Sequence, residues 1–258
     1  IIRSSISDLI CKGVQPKFYF ISGSGNKKKF SKKNLSKISK SLKQEQKKYG
    51  ILLCGGDTTF SNKLSFSITS VGYSKKIIYR NNAKLNDDIY VTGDLGDSYI
   101  GLQLLKCRFK IKKKINTYFI NKYYQPDIKN NFTKILLRCA NTSIDISDGL
   151  ITDLKKMINK QNLSYKLNIE SIPISKNLKK LVKSEKLDLS KLISNGDDYQ
   201  VLFTANPIKS RIILNATKKL GIKVTKIGKI NSGNAKSMII DEKGKEILIK
   251  KKGYIHQF

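Results

Sequence analysis

The chain of 258 residues has no Trp, a single His at position 256, four Pro and four Cys, and only 19 acidic residues against 51 basic ones. Each shortage excludes something. Cys11, Cys54, Cys107 and Cys139 are dispersed without a CxxC pair, and one His cannot complete a metal set with them. Neither a zinc site nor a disulfide framework is expected, and a reducing cytoplasm fits best. No stretch approaches the ~18 apolar residues that a membrane-spanning helix needs. No charged-then-apolar segment before a small-residue cleavage site marks the start as a secretory signal. The first residue is Ile, which reads as a piece of a longer chain.

What is present is ample for a buried core, at 39% hydrophobic and 27% charged residues, yet the formal net charge is +32. That excess invites a nucleic-acid reading, which the residue types oppose. Only Arg3, Arg80, Arg108, Arg138 and Arg211 are Arg, whereas phosphate and base-edge recognition favours the planar guanidinium fork. Lys is scattered over the whole length beside abundant Ile and Asn. All three have A/T-rich codons, so genome bias accounts for the excess. Runs such as Lys27-Lys28-Lys29 read as solvated loops.

Helix and strand patterns alternate along the chain. Residues 1–12 suit a short helix, 17–22 a strand and 23–26 a loop; Leu35, Ile38 and Leu42 recur at helical spacing before Gly50. Strands are expected at 51–54, 64–69, 77–79 and 89–92. Helices are expected after Gly96, over Ile128 to Cys139, over Leu150 to Ile158, and after Asn206-Pro207 with Ile208, Ile212 and Ile213 turned inward. Further strands fall at 165–169, 199–204, 224–230 and 238–241. The polar stretch 81–87 places a domain boundary near residue 84. The reading is an α/β (α+β) chain of two domains: residues 1–84, a mixed-sheet domain incomplete at its start, and residues 85–258, an α/β domain.

The scarce acids gather in short clusters, mostly beside glycine: Asp8, Asp57 after Gly55-Gly56, Asp87/Asp88, Asp94 and Asp97, Asp145, Asp148 and Asp153, and Asp197/Asp198 after Gly196. Small acidic clusters suit a hard divalent cation, since Mg²⁺ takes carboxylate oxygens and completes its shell with water and phosphate oxygens. Gly-Asp pairs also serve plain turns, the reading adopted for Asp94 and Asp97. Ser147 or Asp148 could simply cap the helix that follows. Asp145-Ile146-Ser147-Asp148-Gly149 is harder to explain so: strand alternation followed by a helix entrance converges two carboxylates and a hydroxyl on a helix N-terminus that favours phosphate. The residues themselves lead as far as an enzyme of Mg²⁺ and phosphate.

The order of the motifs goes further. Ser7-Asp8-Leu9, Gly55-Gly56-Asp57-Thr58-Thr59, Arg80 with Ala83, and the run 88–93 are followed by Leu95-Gly96-Asp97-Ser98, the run 145–150, Gly196-Asp197-Asp198-Tyr199, and a tail of Gly253-Tyr254 and His256. Over nearly the whole chain this resembles the thiamine-monophosphate kinase family, within the superfamily of aminoimidazole-ribonucleotide synthetase and selenophosphate synthetase. The resemblance implies that ATP gives its γ-phosphoryl group to thiamine monophosphate. It implies Asp8, Asp57, Asp145 and Asp148 as Mg²⁺ ligands, with Asp57, Asp145 and Asp148 carrying catalysis. Gly56, Asp57, Arg80 and Ser147 are implied as ATP contacts, and Asp197 and Tyr254 as the thiamine end. It also implies a homodimer, with no specific nucleic acid and no membrane. His256 is read as structural.

The acceptor phosphate is largely a dianion at neutral pH, its second pKa being about 6, so positioning and metal ions matter more than a general base. Departures remain: Asp197 stands where the family has Glu, and Asn82, Asn86 and Asn195 stand where it has Gly. Asn tolerates the left-handed backbone. The family carries an acidic segment ahead of the Ser-Asp block, which here begins almost at residue 1. Residues 1–258 alone are therefore expected to turn over little, and an upstream extension of ~50–70 residues, half a small domain, to restore activity. A sibling enzyme acting on another phosphate or acid substrate is the alternative within the superfamily. A basic nucleic-acid-binding protein is the alternative outside it.

Overall fold

The computed structural model describes residues 1–108, 111–249 and 253; Tyr254 and His256 lie outside these residues. Helix α1 (Ile2–Cys11) buries Ile2, Ile6 and Ile10, one side chain per turn. It leads into β1 (Gln15–Gly25), the middle of a four-stranded sheet. Helix α2 (Lys32–Tyr49) starts where the Ser31 hydroxyl accepts the Asn34 N–H and stops at Gly50, whose φ of 64° is left-handed. Strands β2 (Leu52–Gly55) and β3 (Thr58–Phe60) run parallel to successive stretches of β1, at Phe18–Phe20 and Gly23–Gly25. The antiparallel β4 (Ser65–Tyr73) pairs with β1 over nearly its full length. Gly55-Gly56-Asp57 is thus the break between two short strands lying along β1.

The second sheet has six strands. Its elements are β5 (Asp88–Thr92), α3 (Asp97–Leu105), α4 (Lys113–Tyr124), α5 (Thr133–Cys139), β6 (Ala140–Asp145), α6 (Leu150–Ile158), β7 (Leu163–Asn168), α7 (Lys176–Ser184), α8 (Leu189–Ile193), β8 (Val201–Ala205), α9 (Ser210–Leu220), β9 (Val224–Ser232) and β10 (Met238–Ile240). The strand order is β10-β7-β9-β5-β8-β6, and all pairings are antiparallel except β10 with β7. Alternation sorts the side chains between two cores. Ile89, Val91, Leu202 and Ile144 pack with α6, while Tyr90, Val201 and Phe203 pack with α1, α5 and α9. That second core also takes Tyr19, Tyr49 and Ile51 from the first sheet's side, so α1 lies where the two halves meet. Leu104, Phe119, Leu178 and Leu181 close a third core among α3, α4 and α7.

Several expectations are corrected. Residues 77–79 form no strand; Ile78 is buried while Tyr79 gives its carbonyl to the Thr142 hydroxyl at 2.8 Å. Residues 23–25 belong to β1 rather than to a loop. Of the three isoleucines after Asn206-Pro207 only Ile213 is buried; Ile208 is 83% exposed because it sits in the single 3₁₀ turn before α9. The polar stretch before β5 is tied to the second sheet at Asp87. Buried Asp87 accepts the Lys84 N–H at 2.9 Å, the Asn141 amide at 2.9 Å and the Thr204 hydroxyl at 2.8 Å. Of the three Asn at expected glycine positions only Asn86 is left-handed, at φ 68°. Among the described residues no helix is long and apolar enough to cross a membrane.

Candidate functional site

Strand β6 delivers Asp145 to the face that meets α1, and there Ser7 donates its hydroxyl to Asp145 Oδ2 at 2.8 Å. Asp145 is 4% exposed. Burial, reinforced by the charge of Asp8, pushes its carboxyl up to about 6, and the Ser7 bond only partly offsets this. Asp8, one residue on from Ser7, is raised as well: crowding by protein outweighs the opposing charges of Arg80 and Lys12. Two carboxylates and two cationic side chains therefore converge where α1, β6 and the Arg80 segment meet. Ser7→Ala should loosen Asp145 and cut turnover by roughly the 10-fold or more typical of lost ligand-orienting contacts, read from kcat at saturating substrates.

Beyond Asp145 the chain leaves the sheet, so Ser147 does not share a strand face with it. Neither Ser147 nor Asp148 caps α6; Gly149 is the N-cap residue and makes no side-chain bond. The anion at this helix N-terminus is internal. Asp153 Oδ2 accepts the backbone N–H groups of Ser147, Asp148 and Gly149 at 3.0, 2.8 and 3.1 Å. These amides are therefore engaged, which corrects the expectation that they are free to receive phosphate. The Asp148 carboxylate forms an ion pair with Lys156, which also lies 3.5 Å from Asp153 Oδ1.

A second loop is stitched to this one through the backbone. Asp197 N–H donates to the Ser147 carbonyl at 2.9 Å, and Tyr199 N–H to the Ile146 carbonyl at 2.8 Å. Gly149 and Gly196 permit the approach: a Cβ on either would overlap main-chain atoms of the other loop. Asp197 is itself left-handed, at φ 68°. Burial raises its carboxyl, with the charge of Asp148 adding and the Tyr199 hydroxyl opposing. Together with α3 the two loops wall a cleft of about 570 Å³, lined by Ser147, Asp148, Asp197 and Tyr199 on one side and Tyr99 and Lys106 on the other. A cleft of about 500 Å³ between α1 and α2 holds none of the expected site residues.

Asp57 lies apart from these groups. Its exposed carboxylate accepts the Thr58 N–H at 2.7 Å, and its carbonyl accepts the Gly23 N–H at 2.9 Å. Gly56 presses on β1 so closely that a Cβ would overlap the Ile21 carbonyl. The described residues contain no preassembled group of three or more His, Cys, Asp or Glu side chains that could hold a metal ion. The structure joins Asp8 to Asp145 and sets Asp148 near Asp197, without gathering all four expected ligands. Tyr254 falls outside the described residues, although Gly253 abuts Thr152 and the Asp148 carbonyl. Sequence reasoning missed the roles of Ser7, Asp153 and Lys156. Only the last two left a signal, a charged pair at i, i+3 inside the first turns of α6.

Known proteins resemble this chain in sequence and in fold. Residues 1–74 match the family model for AIR synthase related protein, N-terminal domain. A thiamine-monophosphate kinase of Buchnera aphidicola (subspecies Schizaphis graminum) is 36% identical over 99% of this chain and 78% of its own length. A solved structure of AaThiL complexed with AMPPCP and TMP superposes with a TM-score of 0.85 at 25% identity, over 99% of this chain and 78% of that one. The structure of thiamine monophosphate kinase from Aquifex aeolicus gives 0.82 at 25% identity, over 95% and 79%.

Proposed function

This chain belongs to the thiamine-monophosphate kinase family, and from that premise we propose how its own residues carry the reaction. The activity is the ATP-dependent phosphorylation of thiamine monophosphate to thiamine diphosphate. The observation that carries the assignment is the junction of the Asp8–Asp145 pair with the Ser147–Asp148 loop at one edge of a cleft of substrate size.

Mg²⁺ suits the donors present. Asp8, Asp145 and Asp148 offer only oxygen, the Asp8 charge helps to raise the Asp145 carboxyl, and Lys156 already supplies a positive charge to Asp148. In this reading Asp8, Asp145 and Asp148, with Asp57 contributed from the first sheet, would hold Mg²⁺, and the ion would supply positive charge to the transferring phosphoryl oxygens. Gly56 lets the backbone of β2 lie close to β1 and presents Asp57 from the break. Arg80, beside Asp8, grips ATP phosphate with its fork, and Ser147 adds a hydroxyl contact. Asp197, in the cleft wall, is assigned to the cationic thiazolium, and Tyr254 is assigned to the same substrate end by motif match alone. The acceptor needs no base, so the work of these side chains is to align two anions in line.

Arg80→Lys keeps the charge and loses the bidentate geometry. It should raise KM for ATP about 10-fold, the scale of one charge-assisted hydrogen bond, while KM for thiamine monophosphate stays nearly constant. Initial-rate kinetics with each substrate varied separates the two.

The same reading makes the enzyme a homodimer in a reducing cytoplasm. The outer face of the first sheet supports the dimer: Phe20, Leu52 and Tyr73 are 43, 59 and 69% exposed, an apolar surface that a second copy would cover. Dispersed cysteines support the compartment. Residues 1–84 supply Asp8, Asp57 and Arg80, and residues 85–258 supply the rest, so the proposed two-domain division runs through the site.

The product tests the assignment. Chromatography of reactions containing the protein expressed from its whole reading frame, ATP and Mg²⁺ should show thiamine diphosphate from thiamine monophosphate and none from unphosphorylated thiamine. Equal phosphorylation of both acceptors would contradict it.

A further inference from the structure

Asp153 lies outside the ligand set proposed above, yet it has the most connected carboxylate in this part of the molecule. It is completely buried. One of its oxygens gathers three consecutive N–H groups, from Ser147 to Gly149. The other oxygen is buried without a hydrogen-bond partner, its nearest counter-charge being Lys156 at 3.5 Å. A helix of ordinary sequence meets its first N–H groups with a side chain ahead of the helix. Here the anion comes from inside α6 and reaches back past the N-cap to the loop that carries Ser147 and Asp148.

We propose that Asp153 is a positioning residue for the cation and phosphoryl site, acting through the backbone of residues 147–149; the proposal rests on the family reading of that loop. Three donors converging on one oxygen fix three successive peptide planes. The loop is thereby curled so that the Ser147 and Asp148 side chains face the cleft while their N–H groups turn inward. The charge matters along with the shape. Lys156 is shared between Asp153 and Asp148, so Asp153 draws part of that ammonium away from the carboxylate assigned to the cation. Removing the Asp153 charge releases the loop from its anchor and leaves Lys156 wholly to Asp148, where it competes with a divalent cation. Both consequences fall on cation binding and on turnover, and neither falls directly on the thiamine end of the cleft.

A plain helix cap at the same place would affect only stability, and this separates the two roles. Asp153→Asn preserves the volume and removes the charge. Ser175→Ala deletes the cap of α7, where the Ser175 hydroxyl accepts the Leu178 N–H at 3.0 Å, and serves as the destabilised control. Mn²⁺ binding measured by electron paramagnetic resonance without nucleotide, together with kcat and both KM values, gives the readout. Asp153→Asn should weaken Mn²⁺ binding and lower kcat by about 10- to 100-fold, the range seen when partners that orient metal ligands are lost, with KM for thiamine monophosphate within about 3-fold of wild type. Ser175→Ala should leave all of these within about 2-fold. If circular dichroism shows Asp153→Asn unfolded, Asp153→Glu takes its place: it keeps the charge, displaces the oxygen by one methylene and is held to the same thresholds. Wild type that binds Mn²⁺ and a folded Asp153 variant that binds it equally well with unchanged kcat would overturn the Asp153 proposal alone. Equal losses in the variant and in Ser175→Ala would also overturn it. Wild type that binds no Mn²⁺ would overturn this proposal and the cation reading together.

Discussion

Asp145→Asn is expected to reduce phosphoryl transfer by ~10³-fold or more, the several kcal/mol that a metal clamp contributes, and at the same time to stabilise the protein in the absence of metal. The second effect follows from the direction of the pKa shift. Asp145 titrates near 6 in the folded chain against an ordinary value of 3.8, so between those pH values the folded state holds a proton that the unfolded state has released. Stability contributed by this group is therefore lost as pH rises from about 4 to about 6, and the loss is complete above that. A shift of this size corresponds to about 3 kcal/mol. Asparagine has no charge to bury and can still accept the Ser7 hydroxyl. Melting in EDTA should show the variant level with wild type near pH 4 and roughly 5–10 °C higher at pH 7.5, given the entropy of a chain this long. Asp198, buried and raised by that burial to about 8, gives both proteins a further downward slope, which cancels in the difference. An offset that is the same at both pH values would show that the Asp145 charge is not the cause.

Gly196→Ala should do comparable damage from the other loop. The added methyl would overlap the carbonyl of Ser147 and crowd the Cα of Asp148. Every atom in the way is backbone, so no rotamer change relieves the clash. The 195–199 segment must retreat, at the expense of the Asp197 N–H bond to Ser147 at 2.9 Å and the Tyr199 N–H bond to Ile146 at 2.8 Å. Overpacking of this kind costs about 1–3 kcal/mol of stability. Because it displaces Asp197 and Asp148 together, kcat/KM for thiamine monophosphate should fall by about 100-fold, since ångström misplacements have costs of that order. Gly50→Ala is the contrast: its φ of 64° makes alanine strained, but the space around it is empty and it lies at the end of α2. That variant should melt slightly earlier and turn over normally.

What the sequence disclosed, and what it withheld, follows the range of the interactions. The helix ended by Gly50, the buried run of β5 and the apolar stripe of α6 are set by neighbours within a few residues, and each is found where the spacing predicts it. Helices α4 and α7 escaped notice. In α7 Leu178 and Leu181 are set among lysines, and in α4 Phe119 stands in the contiguous run Tyr118-Phe119-Ile120; both helices acquire a core only when they meet α3. Residues 77–79 carry a strand-like pattern, yet Ile78 packs into the core beside α1 and no sheet partner reaches it. Asp145 and Asp148 were legible as a pair of acids. That Asp145 would meet Ser7, 138 residues away, and that Asp153 would claim the helix amides, depends on how β6 ends beside α1. Sequence spacing contains no such information.

The most direct test of the central claim is the fate of label from [γ-³²P]ATP, followed at increasing Mg²⁺ with the protein expressed from its whole reading frame. The account predicts label in the terminal phosphate of thiamine diphosphate, ADP in equal amount, and no transfer in EDTA or with Asp145→Asn. Label released only as inorganic phosphate, or transfer undiminished without a divalent cation, would contradict it.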